Sequence, residues 1–201
     1  MTELTTTELA RCLWCGTDPL YMEYHDSEWG TPLYDNQKLF EFLILEGAQA
    51  GLSWITVLRK RENYRTAFDN FNPEKIARYT DAKKAKLLLN EGIIRNRLKV
   101  DSAIKNAQAY LAMQKSGEDF SEFLWSFVGA KPKQNKWTSM SQIPASTPES
   151  DTMSKALKQK GFNFVGSTIC YAFMQATGMV NDHLTHCHRY KICKTTNKIG
   201  K

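Results

Sequence analysis

The sequence predicts an all-α fold, because three features of the 201-residue chain favour helices over strands. Apolar residues recur with helical spacing, as at Leu39, Phe40, Leu43 and Ile44. Two proline-containing segments carry the residue types that start helices. The chain also lacks convincing hairpin signals and the regular alternation of strands with helices that is typical of a parallel sheet.

The predicted helices follow from local signals along the chain. Asp35 is suited to capping the first core helix, which carries Glu46. Residues 71–74 and 146–149 each combine a capping residue with proline at the first helical position and an early acid, so both are predicted helix starts. A longer helix is expected over about residues 95–115. Another amphipathic helix is indicated by four spaced apolar residues: Phe120, Phe123, Leu124 and Phe127.

The domain organisation is predicted from composition. Residues 129–148 contain three prolines, scattered Lys and Ser and little periodicity, which indicates a surface connection between two helical lobes. Both lobes are expected to belong to one domain, residues 11–190. Residues 1–10 are expected to form a flexible polar lead-in, and residues 191–201 a basic C-terminal tail.

Charge and hydropathy exclude some classes of protein. No stretch approaches the roughly 20 apolar residues that a membrane span needs, and the N-terminus lacks the layout of a secretion signal, so we expect a cytoplasmic protein without a membrane partner. The chain carries 27 Lys and Arg against 21 Asp and Glu, a net charge of +6. This excess favours an anionic partner such as nucleic acid, although many soluble proteins share it. Nothing requires more than a monomer.

Cysteine and histidine residues concentrate near the two ends of the chain. Five cysteines, an odd number, argue against a disulfide framework and for reduced thiols or metal ligands. His183 and Cys187 are four residues apart, so on a helical turn they could grip one zinc ion. Two ligands from the N-terminal group would then complete a structural site. The N-terminal candidates are Cys12, Cys15 and His25; the other C-terminal ones are His186, His188 and Cys193.

Spacing alone leaves two alternatives open at these residues. They are either zinc ligands or unrelated surface histidines and buried thiols, which we weigh about equally. Spacing also does not decide between Cys15 and His25 as a ligand.

Several motifs together resemble the bacterial 3-methyladenine DNA glycosylase I family. The long motifs are residues 21–30 (YMEYHDSEWG) and 45–54 (LEGAQAGLSW). Shorter ones follow in the same order at 92–97 (GIIRNR), 123–127 (FLWSF), 161–166 (GFNFVG) and 181–183 (NDH). The resemblance covers about residues 11–188, and the joint occurrence of these motifs is highly specific.

The resemblance implies a fold, a cofactor and a substrate. The fold is that of the helix-hairpin-helix DNA glycosylases, and the partner is double-stranded DNA containing 3-methyladenine. One structural zinc ion joins the N- and C-terminal segments, and on matching positions its ligands are Cys12, His25, His183 and Cys187. The remaining cysteines and histidines are extras that either substitute for these ligands or are inert.

The resemblance also places Tyr24, Trp29 and Trp54 around a base-binding pocket with Glu46 at its floor. A glycosylase swings its target nucleotide out of the duplex, and aromatic walls offset the lost stacking. Methylation at N3 makes adenine cationic and a good leaving group, so a carboxylate in a partly dry pocket selects the lesion by its charge. Glu46 is therefore first a recognition residue and the one catalytic candidate. Without the motifs, core packing would explain the aromatics better, and an ion pair or a helix-end contact would be an alternative for Glu46.

Asp182 lies near the position where relatives in the superfamily carry a catalytic aspartate. Beside His183 it is expected to orient a zinc ligand or cap a helix, and we leave it out of the catalytic set.

Residues 164–168 resemble the superfamily's hairpin, whose turn can aim backbone N–H groups at a phosphate. The predicted DNA contacts are Val165, Gly166, Ser167 and Lys160. Phe164 replaces the usual first glycine, so the grip on DNA is expected to depend more on the neighbouring lysines, which also include Lys155 and Lys158. The alternative is that these lysines are simply a solvated helix face.

Two rival functions are compatible with the composition. One is a zinc-stabilised DNA-binding module without catalysis, which would have no need for a Glu beneath several aromatic rings. The other is a zinc hydrolase, which a metal site with four protein ligands would exclude because no position is left for water or substrate.

Overall fold

A computed structural model describes residues 9–195, and within that range the regular secondary structure is almost entirely helical. The α-helices are α1 (Pro19–Ser27), α2 (Asn36–Gln49), α3 (Trp54–Leu58), α4 (Arg61–Ala67), α5 (Pro73–Ile76), α6 (Asp81–Leu89), α7 (Arg97–Lys115), α8 (Phe120–Ser126), α9 (Pro148–Gln159), α10 (Ser167–Ala176) and α11 (His188–Thr195). Three short 3₁₀ turns accompany them: Leu13–Cys15, Asp69–Phe71 and Met140–Gln142.

Side-chain caps explain where several of these helices begin. The carboxylate of Asp35 accepts a hydrogen bond from the backbone N–H of Lys38 at the start of α2. Asn72 and Thr147 cap α5 and α9 in the same way, each followed by proline. These side chains satisfy backbone N–H groups that have no partner inside the first turn of a helix. The predicted starts at these positions are therefore confirmed.

Helix α2 is the centre of the fold. Its ten consecutive residues 39–48 are all buried, so neighbouring elements cover this helix on every side. Helices α3, α7, α8 and α10 all pack against it. One continuous hydrophobic core includes residues from α1 through α10, so the two predicted lobes share it.

Two predicted helices have slightly different bounds in the structure, and the helices that the sequence did not predict are short. The long helix near residues 95–115 begins at Arg97, because Asn96 caps it. The helix predicted from spaced phenylalanines ends at Ser126, just before Phe127. Helices α1, α3, α4, α6 and α11, which the sequence analysis did not predict, have nine residues or fewer and give a weak periodic signal.

Residues 129–148 are more than the surface connection that the sequence predicted. Strand β1 (Lys133–Gln134) pairs in parallel with strand β2 (Val180–Asn181), although no strand was expected. Beyond β1 the backbone carbonyl of Trp137 accepts a hydrogen bond from the backbone N–H of Thr185. Low periodicity here reflects an irregular segment held by long-range contacts. We name residues 133–145 the strap.

The structure describes only part of the predicted N-terminal lead-in and C-terminal tail. Residues 1–8 of the predicted lead-in and 196–201 of the predicted tail lie outside the described residues. The first five residues of that tail, 191–195, belong to α11, where Cys193 is buried. No helix between residues 9 and 195 is both long and apolar enough to cross a membrane.

Candidate functional site

A cavity of about 350 Å³ lies between α1, α2, α10 and the strap. Aromatic side chains dominate its walls and a single carboxyl group, that of Glu46, faces it. The lining residues are Trp14, Tyr21, Tyr24, Trp29, Glu46, Gln49, Trp54, Met140, Ile143, Pro144, Ala145, Thr168, Tyr171, Ala172 and Gln175. A concave, mostly aromatic cavity with few polar groups is typical of a site for a flat organic ligand.

Glu46 lies in the last turn of α2 and is 3% exposed. Among residues 9–195 no hydrogen bond or ion pair reaches its carboxyl group. Burial raises the pKa of Glu46 to about 8, because the charged form loses its hydration without gaining a partner. A buried carboxyl group without a partner destabilises the folded protein. Groups of this kind are typical of ligand-binding or catalytic sites.

The aromatic walls pack against one another at the distances of edge-to-face pairs. The ring centroid of Trp14 lies 4.9 Å from that of Tyr21 and 5.0 Å from that of Trp29. Tyr24 and Trp54 lie 5.5 Å apart. Such contacts fix the orientation of each ring before any ligand enters. The indole N–H groups of Trp14 and Trp54 are buried without a hydrogen-bond partner among the described residues.

A larger cavity, of about 570 Å³, shares Tyr24 with the first but differs in chemistry. Two of its lining arginines are paired with carboxylates: Arg61 contacts Glu28 at 2.7 Å and Glu41, which lies behind the wall, at 2.9 Å, and Arg65 contacts Glu41 at 2.8 Å. Because these charges compensate one another, neither arginine offers a ligand an unpaired charge.

Cys12, His25, His183 and Cys187 form a buried cluster whose ligand atoms all lie within 4.8 Å of one another. The Sγ atom of Cys12 is 3.7 Å from Nδ1 of His183, and Sγ of Cys187 is 3.5 Å from Nδ1 of His183 and from Nε2 of His25. Tetrahedral zinc with ordinary Zn–S and Zn–N bonds places sulfur and nitrogen ligands about 3.5 Å apart. The four residues therefore fit a tetrahedral metal ion.

The second nitrogen of each histidine has a partner outside the cluster. Nδ1 of His25 lies 2.7 Å from the carboxylate of Asp26, and Nε2 of His183 lies 3.0 Å from the carbonyl oxygen of Trp29. These acceptors hold a proton on the outer nitrogen and leave a lone pair on the inner one, as metal-binding histidines require. Burial also lowers the pKa of His183, which keeps its ring neutral.

The sulfur chemistry of the cluster also suits a cation. The hydrogen bond from the Cys12 thiol lowers the pKa of the Cys187 thiol. Gly30, with a φ of +76°, lies against the His183 ring, where an added Cβ would approach the ring atoms to 3.0 Å. The cluster is therefore closely packed by backbone on one side.

Comparison with known proteins agrees with this geometry. The sequence profile of a family described as methyladenine glycosylase matches residues 14–190. The chain belongs to the methyladenine glycosylase family. It is 54% identical over 182 residues to DNA-3-methyladenine glycosylase 1 of Escherichia coli (strain K12), which covers 90% of this chain and 97% of that protein.

Two solved structures of the family are similar throughout. A crystal structure of a 3-methyladenine DNA glycosylase I is 56% identical, with a TM-score of 0.88 over 89% of this chain and 98% of that one. A Tyr-to-Phe variant of a 3-methyladenine DNA glycosylase I, in complex with 3-methyladenine, is 39% identical, with a TM-score of 0.85 over 89% and 96% of the two chains. Both likenesses extend over nearly the whole fold.

The structure brings most of the sequence-predicted site residues together at two places. Tyr24, Trp29, Trp54 and Glu46 all line the aromatic cavity. The four predicted metal ligands form the cluster described above, whereas Cys15, His186, His188 and Cys193 lie outside it. The Cys15 thiol instead donates to the carbonyl oxygen of Cys12, 3.1 Å away.

The predicted DNA contacts lie at the junction of α9 and α10. Gly166 precedes α10 without a side-chain cap, so the first N–H groups of that helix have no capping partner. Val165 is buried, and its carbonyl oxygen accepts from the hydroxyl of Ser154 at 2.6 Å. Lys160 is already paired with Glu118 at 2.6 Å, while Lys155 and Lys158 are exposed. Phe164 has a φ of +54°, the conformation that glycine adopts most readily.

Sequence reasoning missed several lining residues. Trp14 lies between Cys12 and Cys15, and the contacts of Cys12 with the buried cluster bring that turn to the cavity. Met140 and Ile143 come from the strap, whose irregular sequence gives no signal for a pocket wall. Tyr171 and Gln175 are one turn apart on α10, a spacing that alone indicates only a helix face.

Proposed function

We propose that this chain is a DNA glycosylase that hydrolyses the N-glycosidic bond between 3-methyladenine and deoxyribose in DNA. The observation that carries the proposal is the buried, unpartnered carboxyl group of Glu46 in an aromatic cavity, in a member of the methyladenine glycosylase family. A DNA-binding module without catalysis would gain nothing from such a group, and burying it costs stability.

The cavity is suited to a base that has left the DNA stack. A nucleotide that leaves the DNA stack loses its stacking interactions with neighbouring bases. Stacking of the base on the rings of Tyr24, Trp29 and Trp54 inside the cavity offsets this loss. The rings already pack against one another, so little side-chain entropy is lost when the base enters.

Glu46 recognises the methylated base by its positive charge. In the empty cavity a carboxyl group with a pKa of about 8 is mostly protonated at neutral pH. A cationic base lowers that pKa by direct attraction, because opposite charges a few ångströms apart in a dry site interact strongly. Neutral adenine offers no such gain. Glu46 therefore discriminates by charge and by accepting hydrogen bonds from the exocyclic amine.

Bond cleavage needs less from the protein than recognition does. Water adds to the anomeric carbon and releases one proton to the solvent. The electron pair of the glycosidic bond moves onto the base, which departs as neutral 3-methyladenine and leaves an abasic site. Attraction between Glu46 and the cationic base is already present in the ground state and weakens as the base departs, so it improves binding more than turnover.

The α9–hairpin–α10 unit is proposed as the helix-hairpin-helix grip on double-stranded DNA. The uncapped N–H groups that begin at Gly166 and Ser167 can donate to one phosphate. Val165 contributes only through the backbone around it, because its side chain is buried. Lys160 can bind a DNA phosphate only if its ion pair with Glu118 breaks.

The Cys12, His25, His183 and Cys187 cluster is proposed to hold one structural zinc ion. Four protein ligands complete a tetrahedral shell, so the ion supplies a cross-link between the chain ends and no open position for catalysis. The enzyme is proposed to act as a monomer within one domain, residues 11–190.

The test is the release of free base from methylated duplex DNA. The wild-type protein is expected to release 3-methyladenine, measured by mass spectrometry, and to leave abasic sites. Glu46→Gln keeps the shape but loses the charge, and should weaken binding of the lesion roughly 10- to 100-fold.

Glu41→Gln is the matched control, because Glu41 is buried on the same helix but lies outside the aromatic cavity and pairs with Arg61 and Arg65. It should lose stability and retain selectivity for the methylated base. Release of no base by the wild-type protein, or equal base selectivity in Glu46→Gln and wild type, contradicts the proposal.

A further inference from the structure

Asp182 has the most completely satisfied carboxylate described in this chain. It is fully buried, and each of its oxygens accepts two hydrogen bonds from neutral donors. Oδ1 accepts from the side chains of Asn135 at 2.6 Å and Trp137 at 2.8 Å, and Oδ2 accepts from Tyr171 at 2.6 Å and Gln175 at 2.8 Å. With both oxygens occupied, Asp182 is not available to a sugar or a water molecule.

The four donors come from two different walls of the aromatic cavity. Asn135 and Trp137 belong to the strap, while Tyr171 and Gln175 belong to α10 and line the cavity themselves. Oδ1 thus binds the strap and Oδ2 binds α10, so this single carboxylate joins the two elements. The expectation that Asp182 orients a zinc ligand or caps a helix does not describe these contacts.

Beyond this anchor the strap supplies the apolar side of the cavity. Met140, Ile143, Pro144 and Ala145 line the cavity together with residues of α10. The nearest backbone tether is the hydrogen bond between Trp137 and Thr185, and residues 138–145 continue from it. The position of this wall therefore depends on how firmly Trp137 and Asn135 are held.

We infer that Asp182 is a positioning residue that clamps the strap to α10 and so sets the width of the base-binding cavity. The inference rests on the proposed function for its ligand, a purine alkylated at N3. Its consequence is selectivity by size: a cavity of fixed width rejects an ethyl group where it accepts a methyl group, and one methylene in a well-packed pocket discriminates by about 10- to 200-fold.

Asp182→Asn tests the clamp with almost no change in shape. In either orientation of the amide, its NH₂ group faces two donors that then lose their acceptor. The variant is expected to prefer 3-methyladenine over 3-ethyladenine by only a few-fold, against a preference of about tenfold or more in the wild-type protein. Affinities for both free bases are measured by calorimetry.

Hydrogen exchange provides a readout that does not depend on the ligand. The backbone N–H groups of residues 138–143 should exchange at least about tenfold faster in Asp182→Asn, while those in α2 keep the wild-type rate. Trp137→Phe removes a single hydrogen-bond donor on the strap side. It should reduce the preference for 3-methyladenine and speed the exchange at residues 138–143, each to a smaller extent than Asp182→Asn. It carries the test if Asp182→Asn does not fold.

Asn106→Ala is the matched control. Asn106 is a buried polar residue that holds the hairpin, through hydrogen bonds of 3.0 and 2.7 Å with the backbone of Asn163, and it does not touch the strap. Its free-base size preference should equal that of wild type. Bound metal is measured in each variant, because Asp182 adjoins His183.

Two results overturn the inference: unchanged exchange at residues 138–143, or an equal loss of affinity for both bases in a variant with normal metal content. Failure of the proposed function is distinguishable, because the wild-type protein would then neither bind free 3-methyladenine nor release it from DNA. The exchange rates would still show whether Asp182 holds the strap.

Discussion

Three buried carboxyl groups of this chain have three different environments. Glu41 pairs with two arginines, Asp182 accepts from four neutral donors, and Glu46 has no hydrogen bond or ion pair among the described residues. Burial is therefore common to all three, and the partners decide which acid is available to a ligand. Only Glu46 combines burial with a place in the aromatic cavity.

The raised pKa of Glu46 predicts how stability depends on pH. With a pKa of about 8 in the folded protein and about 4.5 in the unfolded chain, folding takes up a proton between these values. The free energy of unfolding should therefore fall as pH rises from 5 to 8, by at most about 1.4 kcal/mol per pH unit from this group. Urea unfolding at several pH values measures it.

Glu46→Gln provides the comparison for that experiment. The variant cannot ionise, so its advantage in stability over wild type should grow with pH across the same window. A constant difference between the two proteins from pH 5 to pH 8 would show that the carboxyl group titrates normally.

At the scale of elements, the hairpin between α9 and α10 is fixed from three directions. Asn106 of α7 binds the backbone of Asn163, Ser154 of α9 donates to the carbonyl of Val165, and Phe164 lies close to Gly47 of α2. An added Cβ at Gly47 would lie 3.2 Å from Cβ of Phe164. The proposed DNA grip thus packs directly against the helix that carries Glu46.

The lysines of this unit should differ in their contribution to DNA binding. Lys155 and Lys158 are exposed, whereas Lys160 pairs with Glu118 and lies 5.1 Å from the ring centre of Phe123. Replacing a lysine that contacts phosphate by glutamine should reduce the slope of log K against log salt by about 1. We expect this reduction for Lys155→Gln and Lys158→Gln, and a smaller one for Lys160→Gln.

Fluorescence anisotropy with a DNA duplex at several salt concentrations measures these slopes. Equal slopes for wild type and all three variants would identify the lysines as a solvated helix face, which is the alternative that composition left open.

At the scale of the whole molecule, the cluster of Cys12, His25, His183 and Cys187 joins the two ends of the described chain and adjoins the cavity. Cys12 and His183 are 171 residues apart in sequence, and the His183 ring lies 4.7 Å from that of Trp29, a wall of the cavity. A metal ion bound to this cluster would restrict the unfolded chain over nearly its full length.

Removal of the metal should therefore lower stability before it affects chemistry. We expect chelation to lower the Tm by about 10 °C or more, with base release retained at temperatures where the protein stays folded. Calorimetry and base release are measured on the same samples. Loss of activity in a fully folded, metal-free protein would contradict a purely structural metal.

Cys12→Ser and Cys15→Ser form a matched pair for the same question. Both thiols are buried and lie three residues apart, but only Cys12 belongs to the cluster. Cys12→Ser should lose the bound metal, and Cys15→Ser should retain one ion per chain by elemental analysis. Retention of the ion in Cys12→Ser together with its loss in Cys15→Ser would reverse the ligand assignment.

The sequence by itself determined the features that depend on local signals. Caps at Asp35 and Thr147 begin their helices as predicted, because a capping side chain acts on backbone groups only three residues away. Motifs that resemble a known family contain Glu46, His25 and His183, because each motif carries its residues in a recognisable local context. Cys12 and Cys187 lie outside the motifs and were implied by the resemblance as a whole.

Only the tertiary structure decided what depends on distant residues meeting. Spacing could not choose between Cys15 and His25, whereas packing places His25 in the cluster and turns the Cys15 thiol toward a carbonyl. The sequence predicted the strap as a surface connection, whereas in the structure it contacts Asp182 and lines the cavity. Such roles come from long-range hydrogen bonds and burial, which leave no periodic trace in the sequence.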